Sequence, residues 1–183
     1  MTRLGTIEQK DGKHVLRYER RLDHPVERVW AALTEPDELR GWLAAAETLE
    51  LTEGGAIVLR WLNVPDDPQE WEGRGVEVPE DHDIAAPVRG TITRLEPPHL
   101  IEYETEEMGL MCWELRSEGA GCALTFTNTV ELPEGHPAEQ TLAGWHIHLD
   151  HLEEALAGQP ADWENWTEKY MDRWSGIRER YAV

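Results

Sequence analysis

Three imidazoles and a carboxylate crowd into one short stretch, Trp145-His146-Ile147-His148-Leu149-Asp150-His151. Such groups bind metal ions or move protons near neutral pH. The stretch has helical periodicity, and on a helix the four do not converge. His146 and Asp150 share a face at i, i+4, whereas His148 and His151 share another at i, i+3. No distant Cys or His motif completes either pair, so no metal is expected. His146 and Asp150 read as a solvated pair. His148 differs: three residues after Trp145 and four before Leu152, it turns toward whatever the helix packs on. There it could donate to a ligand carbonyl, act as an acid or base, or simply bond a strand carbonyl or buried water.

The helix that positions these groups runs over residues 141–157. Leu142, Trp145, Leu149, Leu152 and Leu156 form its apolar stripe, and Gly158 with Pro160 ends it. It faces strands. Residues 88–95, 100–105, 110–117 and 122–131 alternate apolar and polar side chains and read as a four-strand meander. A turn at Ser117-Glu118-Gly119-Ala120-Gly121-Cys122 pairs Leu115 with Leu124 and Trp113 with Phe126. Cys112 then opposes Thr127, on the face away from Cys122, so a disulfide is excluded by geometry. Glu102 and Glu104 fall on the solvated face. The inward face gathers Trp61, Tyr103, Met111, Trp113, Phe126, Asn128, Trp145, Leu149 and Leu152, with Trp42 at one end. Large aromatics with a few polar tips suit an apolar ligand pocket and suit a filled core equally. Asn128, a buried amide, is either bonded within the protein or held for a ligand.

Upstream, residues 14–22 alternate as a strand, and RRLDHPVERVWAALTEPDELRGW follows. Val26, Val29, Trp30 and Leu33 recur at helical spacing, Thr34-Glu35-Pro36 breaks the helix, and a second short one carries Leu39 and Trp42. Two small helices in this place cover one end of a strongly curved sheet. Residues 47–51 and 56–62 flank Glu53-Gly54-Gly55 as a hairpin. Residues 65–87 form a long acidic loop, with a short strand near Val76. After Gly158, Trp163, Trp166, Tyr170, Trp174, Ile177 and Tyr181 mark one face of a further amphipathic helix, which must be buried on its own domain or in a dimer or partner interface.

The 183 residues carry 37 acidic against 17 basic side chains, a formal net charge of -20. Such a field repels nucleic acid and anionic membranes. No apolar run approaches the roughly 20 residues that span a bilayer, and the first residues lack the apolar core of a signal peptide. A cytoplasmic protein is expected. No Ser-His-Asp or Cys-His arrangement, phosphate loop or zinc framework appears, so no cofactor is expected.

Arg21, HPVERVWAALTEPDELRGW, ELTEGGAIVLRW, GTITRLEPPHLIEYE, WELRSEGAGCALTFTNT and GWHIHLDHLEEALAG, in this order, resemble the START-like SRPBCC superfamily. Within it they look most like bacterial homologues of the heat-shock-protein-90 ATPase activator domain. The resemblance implies an α+β helix-grip fold over residues 1–158, a curved antiparallel sheet wrapped around the long helix, with residues 159–183 as an extension outside the common core. It implies binding of a small apolar or aromatic ligand between sheet and helix, without covalent catalysis. The alternatives are a cyclase or hydrolase using His148 and a chaperone-linked interaction module using the tail.

Overall fold

A computed structural model of the chain describes residues 3–63 and 86–182. Within them the chain forms strands β1 (Thr6–Lys10) and β2 (Lys13–Leu22), helices α1 (Val26–Thr34) and α2 (Pro36–Leu39), and strands β3 (Ala44–Leu49) and β4 (Ala56–Trp61). There follow β5 (Val88–Glu96), β6 (Leu100–Thr105), β7 (Gly109–Glu118), β8 (Gly121–Val130), α3 (Ala138–Leu156) and α4 (Trp166–Tyr181). The strands join in one antiparallel sheet in the order β1-β2-β8-β7-β6-β5-β4-β3. This is the α+β helix-grip architecture.

The order explains the helix pair. β2 lies next to one edge of the sheet and β3 forms the other edge, so the chain between them must cross the whole sheet. α1 and α2 make that crossing, with α1 resting on β7, β8 and α3. Pro36 at the start of α2 ends α1 and suits a first helical turn.

Period-two alternation decides which side chains enter the concavity. In β8, Cys122, Leu124, Phe126, Asn128 and Val130 are buried, and their partners in β7 include Leu115, Trp113 and Met111. The observed register pairs Ser117 with Cys122, Leu115 with Leu124 and Trp113 with Phe126, as the apolar pattern requires. Gly119 turns the hairpin at φ 62°, a conformation that favours glycine. Cys112 and Cys122 are both free.

One strand is added and two element starts move. The strand at 14–22 is preceded by β1, a mostly exposed edge strand whose weak apolar pattern hid it. β3 begins at Ala44, three residues before the expected start, because its first residues are small alanines with little β signal. α3 begins at Ala138, not Thr141. The expected strand near Val76, and the 65–87 loop apart from its last two residues, lie outside the described residues.

α3 is buried on more than its stripe. Leu142, Trp145, Leu149, Leu152 and Leu156 join the core beneath the sheet. On the opposite side Ala143 and Ile147 form a second cluster with Trp166, Met171, Trp174 and Ile177 of α4. The connection is pinned too: the Ala161 amide donates to the Gly41 carbonyl (2.8 Å), and the Trp163 indole donates to the Arg40 carbonyl (2.6 Å). α4 therefore lies against α3 as an outer layer.

Candidate ligand-binding site

The aromatics expected on the concave face do meet there, and they meet each other. Trp113 stacks on Phe126 with ring centroids 3.9 Å apart, and Trp42 meets Trp113 edge-on at 5.5 Å. Trp145 contacts Phe126 at 4.6 Å and Trp61 at 6.2 Å. Tyr103, Met111, Leu149 and Leu152 are buried among the same core.

The polar tips of Trp42, Trp113, Asn128 and Trp145 are engaged within the protein. The Trp42 indole donates to the Ala32 carbonyl (2.8 Å), and the Trp113 indole donates to the Tyr103 hydroxyl (3.2 Å). The Asn128 amide donates to the carbonyls of Met108 (2.7 Å) and Leu110 (3.3 Å). Its oxygen accepts from the Trp145 indole at 3.0 Å. Asn128 is thus bonded within the protein, the first of its two sequence readings. Burial pushes the Tyr103 hydroxyl up to about 12.

His148 is the exception. Its Nδ1 lies 3.0 Å from the Trp42 carbonyl, and it is buried to 7% exposure. Burial lowers its pKa to about 4, so the ring is neutral at pH 7. Nε2 makes no hydrogen bond among the described residues. Beside it a recess of about 160 Å3 opens between α3 and α4, lined by Gly144, Ile147, His148, Trp166, Met171 and Trp174 together with Asn63 and Gln140. Gly144 matters to this space: a Cβ there would meet no heavy atom within 4 Å. Trp61, at 5.4 Å, and Trp145, at 6.3 Å, back the His148 ring.

The other members of the His-rich stretch go elsewhere. His146 and Asp150 are not solvated. α4 covers them, leaving His146 fully buried and Asp150 8% exposed. His146 Nδ1 bonds the Tyr181 hydroxyl (2.7 Å), which also accepts from the Gly5 amide (2.8 Å). Asp150 accepts from Arg173 of α4 (2.8 Å) and stands 3.9 Å from buried Arg20. His151 accepts from the Trp166 indole at Nε2 (3.2 Å), so its Nδ1 carries the proton and donates to Glu154 (3.2 Å). Burial lowers the pKa of both histidines. Among the described residues no three His, Cys, Asp or Glu side chains converge as metal ligands.

The sequence profile of Activator of Hsp90 ATPase homolog 1-like protein matches residues 23–157. The chain belongs to that family. Solved structures share the fold of this Activator of Hsp90 ATPase homolog 1-like chain. A Bordetella parapertussis protein solved by NMR is 26% identical, with a TM-score of 0.65 over 99% of this chain and 90% of its own. A Rhodobacter sphaeroides protein is 21% identical, with a TM-score of 0.61 over 85% and 100%. CalU16 from Micromonospora echinospora is 19% identical, with a TM-score of 0.56 over 97% of each chain. Among curated proteins none matches the sequence. No helix among the described residues is long and apolar enough to cross a membrane.

The family match ends at residue 157, so α4 and its wall of the recess lie outside it. Two residues at this layer escaped the sequence reading. Arg20 sits between Tyr18 and Leu22 on the inward face of β2, where alternation alone places it. Gly144 is a glycine inside a helix, a position that costs about 1 kcal/mol relative to alanine and so asks for a reason.

Proposed function

We propose that this protein binds a small apolar molecule, about one aromatic ring in size, in the recess between α3 and α4. Binding is non-covalent. The fold is one that holds ligands in a hydrophobic cavity, and the observation that carries this reading is the unfilled apolar recess at Gly144 and His148. Its volume of about 160 Å3 compares with the ~150 Å3 apolar cavity that takes up benzene in another protein. The reading moves the ligand out of the concavity between sheet and α3 to the other side of that helix, between α3 and α4 beside His148. Trp42, Trp61 and Trp145 support His148 there, while Tyr103, Met111, Trp113, Phe126, Asn128, Leu149 and Leu152 build the packed layer behind. Ligand affinity comes from apolar burial, at roughly 25 cal/mol per Å2. A general base works best with a pKa near the working pH, and His148, at about 4, is far below it. That weighs against the cyclase or hydrolase alternative.

The test uses toluene as probe. Gly144→Leu places its Cβ where no heavy atom lies within 4 Å, sends the rest of its side chain toward the recess and replaces a poor helix former with a good one. Wild-type protein should bind toluene saturably by ligand-observed NMR. The Gly144→Leu protein, folded and no less stable, should not. Equal binding by both proteins, or by neither, rejects the site.

A further inference from the structure

His148, a 7% exposed residue on the wall of the recess, hydrogen-bonds through Nδ1 and makes no such bond through Nε2 among the described residues, and the chemistry of Nε2 is fixed by what the ring does on the other side. The Trp42 carbonyl can only accept, so the 3.0 Å contact with His148 Nδ1 requires the proton on Nδ1. A neutral imidazole protonated at Nδ1 carries a bare lone pair on Nε2. Three nearby indoles are committed elsewhere: Trp145 donates to Asn128, Trp163 to Arg40 and Trp166 to His151. His151, 6.3 Å from His148 by ring centroid, has both nitrogens engaged. The wall of the recess thus offers an acceptor.

From this we infer that the ligand is a neutral, ring-sized molecule bearing a hydroxyl or N–H group, which donates to Nε2 of His148. The inference rests on the site proposed above. Neutrality follows from the lining: among the described residues its side chains are apolar or are the uncharged groups of Asn63, Gln140 and His148. A carboxylate or ammonium ion entering here would lose its water without gaining a counter-charge. A carboxylate or ether would also set its lone pairs against that of Nε2. A phenol, alcohol or aniline satisfies both conditions, and a hydrocarbon of equal size leaves Nε2 unpaired.

The experiment compares phenol with toluene on protein labelled with 15N at histidine. Before any probe is added, the His148 ring should show its proton on Nδ1; a proton on Nε2 overturns the inference. Phenol should then bind and shift the Nε2 resonance toward that of a hydrogen-bonded nitrogen. Toluene should bind without shifting it, and phenol should bind at least as tightly despite its higher cost of leaving water. Binding of both probes with an unmoved Nε2 resonance, or binding of toluene alone, rejects the donor and leaves the apolar site standing. Binding of neither rejects the site and the inference with it. In the Gly144→Leu protein the Nε2 resonance should not respond to phenol, and a response there would show contact outside the recess and also reject the assignment.

Discussion

His148 Nδ1 and the carbonyl oxygen of Trp42 lie 3.0 Å apart, joining residues 106 positions distant in the chain. Trp42 follows α2, in the crossing that covers one end of the sheet, and His148 sits in α3, the helix that the sheet wraps. One buried hydrogen bond therefore ties the cover to the helix beneath it. The same bond fixes the tautomer of the ring.

Substituting His148→Leu should remove that tie and leave the Trp42 carbonyl unpaired. A cost of about 1–3 kcal/mol is expected for the orphaned carbonyl. Urea denaturation of the two proteins measures it, and an unchanged midpoint would show that the bond contributes nothing.

Acid should weaken the fold before most carboxylates titrate. Burial holds His146, His148 and His151 below their ordinary value, so the unfolded chain binds protons near pH 6.5 that the folded chain refuses. Stability is then complete above about pH 6.5 and falls as pH drops toward the folded values. His148, at about 4, accounts for roughly 2 kcal/mol of loss by about pH 5. Glu153, whose carboxyl burial pushes upward, acts in the opposite sense, one group against three. Urea midpoints across this range should fall with acidification; constant midpoints would contradict the buried neutral histidines.

Asn128→Leu removes an amide that bonds Met108, Leu110 and Trp145. Two carbonyls and an indole N–H would lose a partner in the core, a loss of about 2–4 kcal/mol. The near-ultraviolet circular dichroism of Trp145 and its neighbours should change with it. A fully stable variant would mean that Asn128 is held for something other than these three groups.

Ending the chain at Gly158 should damage the domain itself. Ala143 and Ile147 would be exposed, and Asp150 would lose Arg173 while keeping a burden of partly buried charge. The shortened protein should lose cooperative unfolding or melt many degrees lower. If it melts like the full chain, α4 is an arm for a partner, the reading in which the core stays folded without it.

Most of the fold was legible because two periodicities are strong. The β7–β8 register follows from Leu115, Trp113, Leu124 and Phe126 falling on one face, and α3 follows from Leu142, Trp145, Leu149 and Leu152. The polar layer was harder. His146 and Asp150 look solvated when α3 is drawn with one buried face, and they become interior only because α4 covers the other. Arg20 was visible in the alternation, but a charged residue on an inward position is read past when its acidic partners, Asp150 and Glu153, come from residues 130 or more positions away. The recess at Gly144 depends on a missing side chain, and periodicity records only the side chains that are present.

The rings of this protein make an unbroken line. From Phe126 it runs through Trp113, Trp145, Trp61, His148, Trp163 and His151 to Tyr170, with no step longer than 6.2 Å between centroids. Four of its eight members are indoles, close enough to share excitation before they emit. Light absorbed in the core is therefore sensitive to events at the outer helix. The molecule carries its own optical gauge, and loosening of α4 or occupation of the space beside His148 should register in the colour and lifetime of its native fluorescence without any added dye.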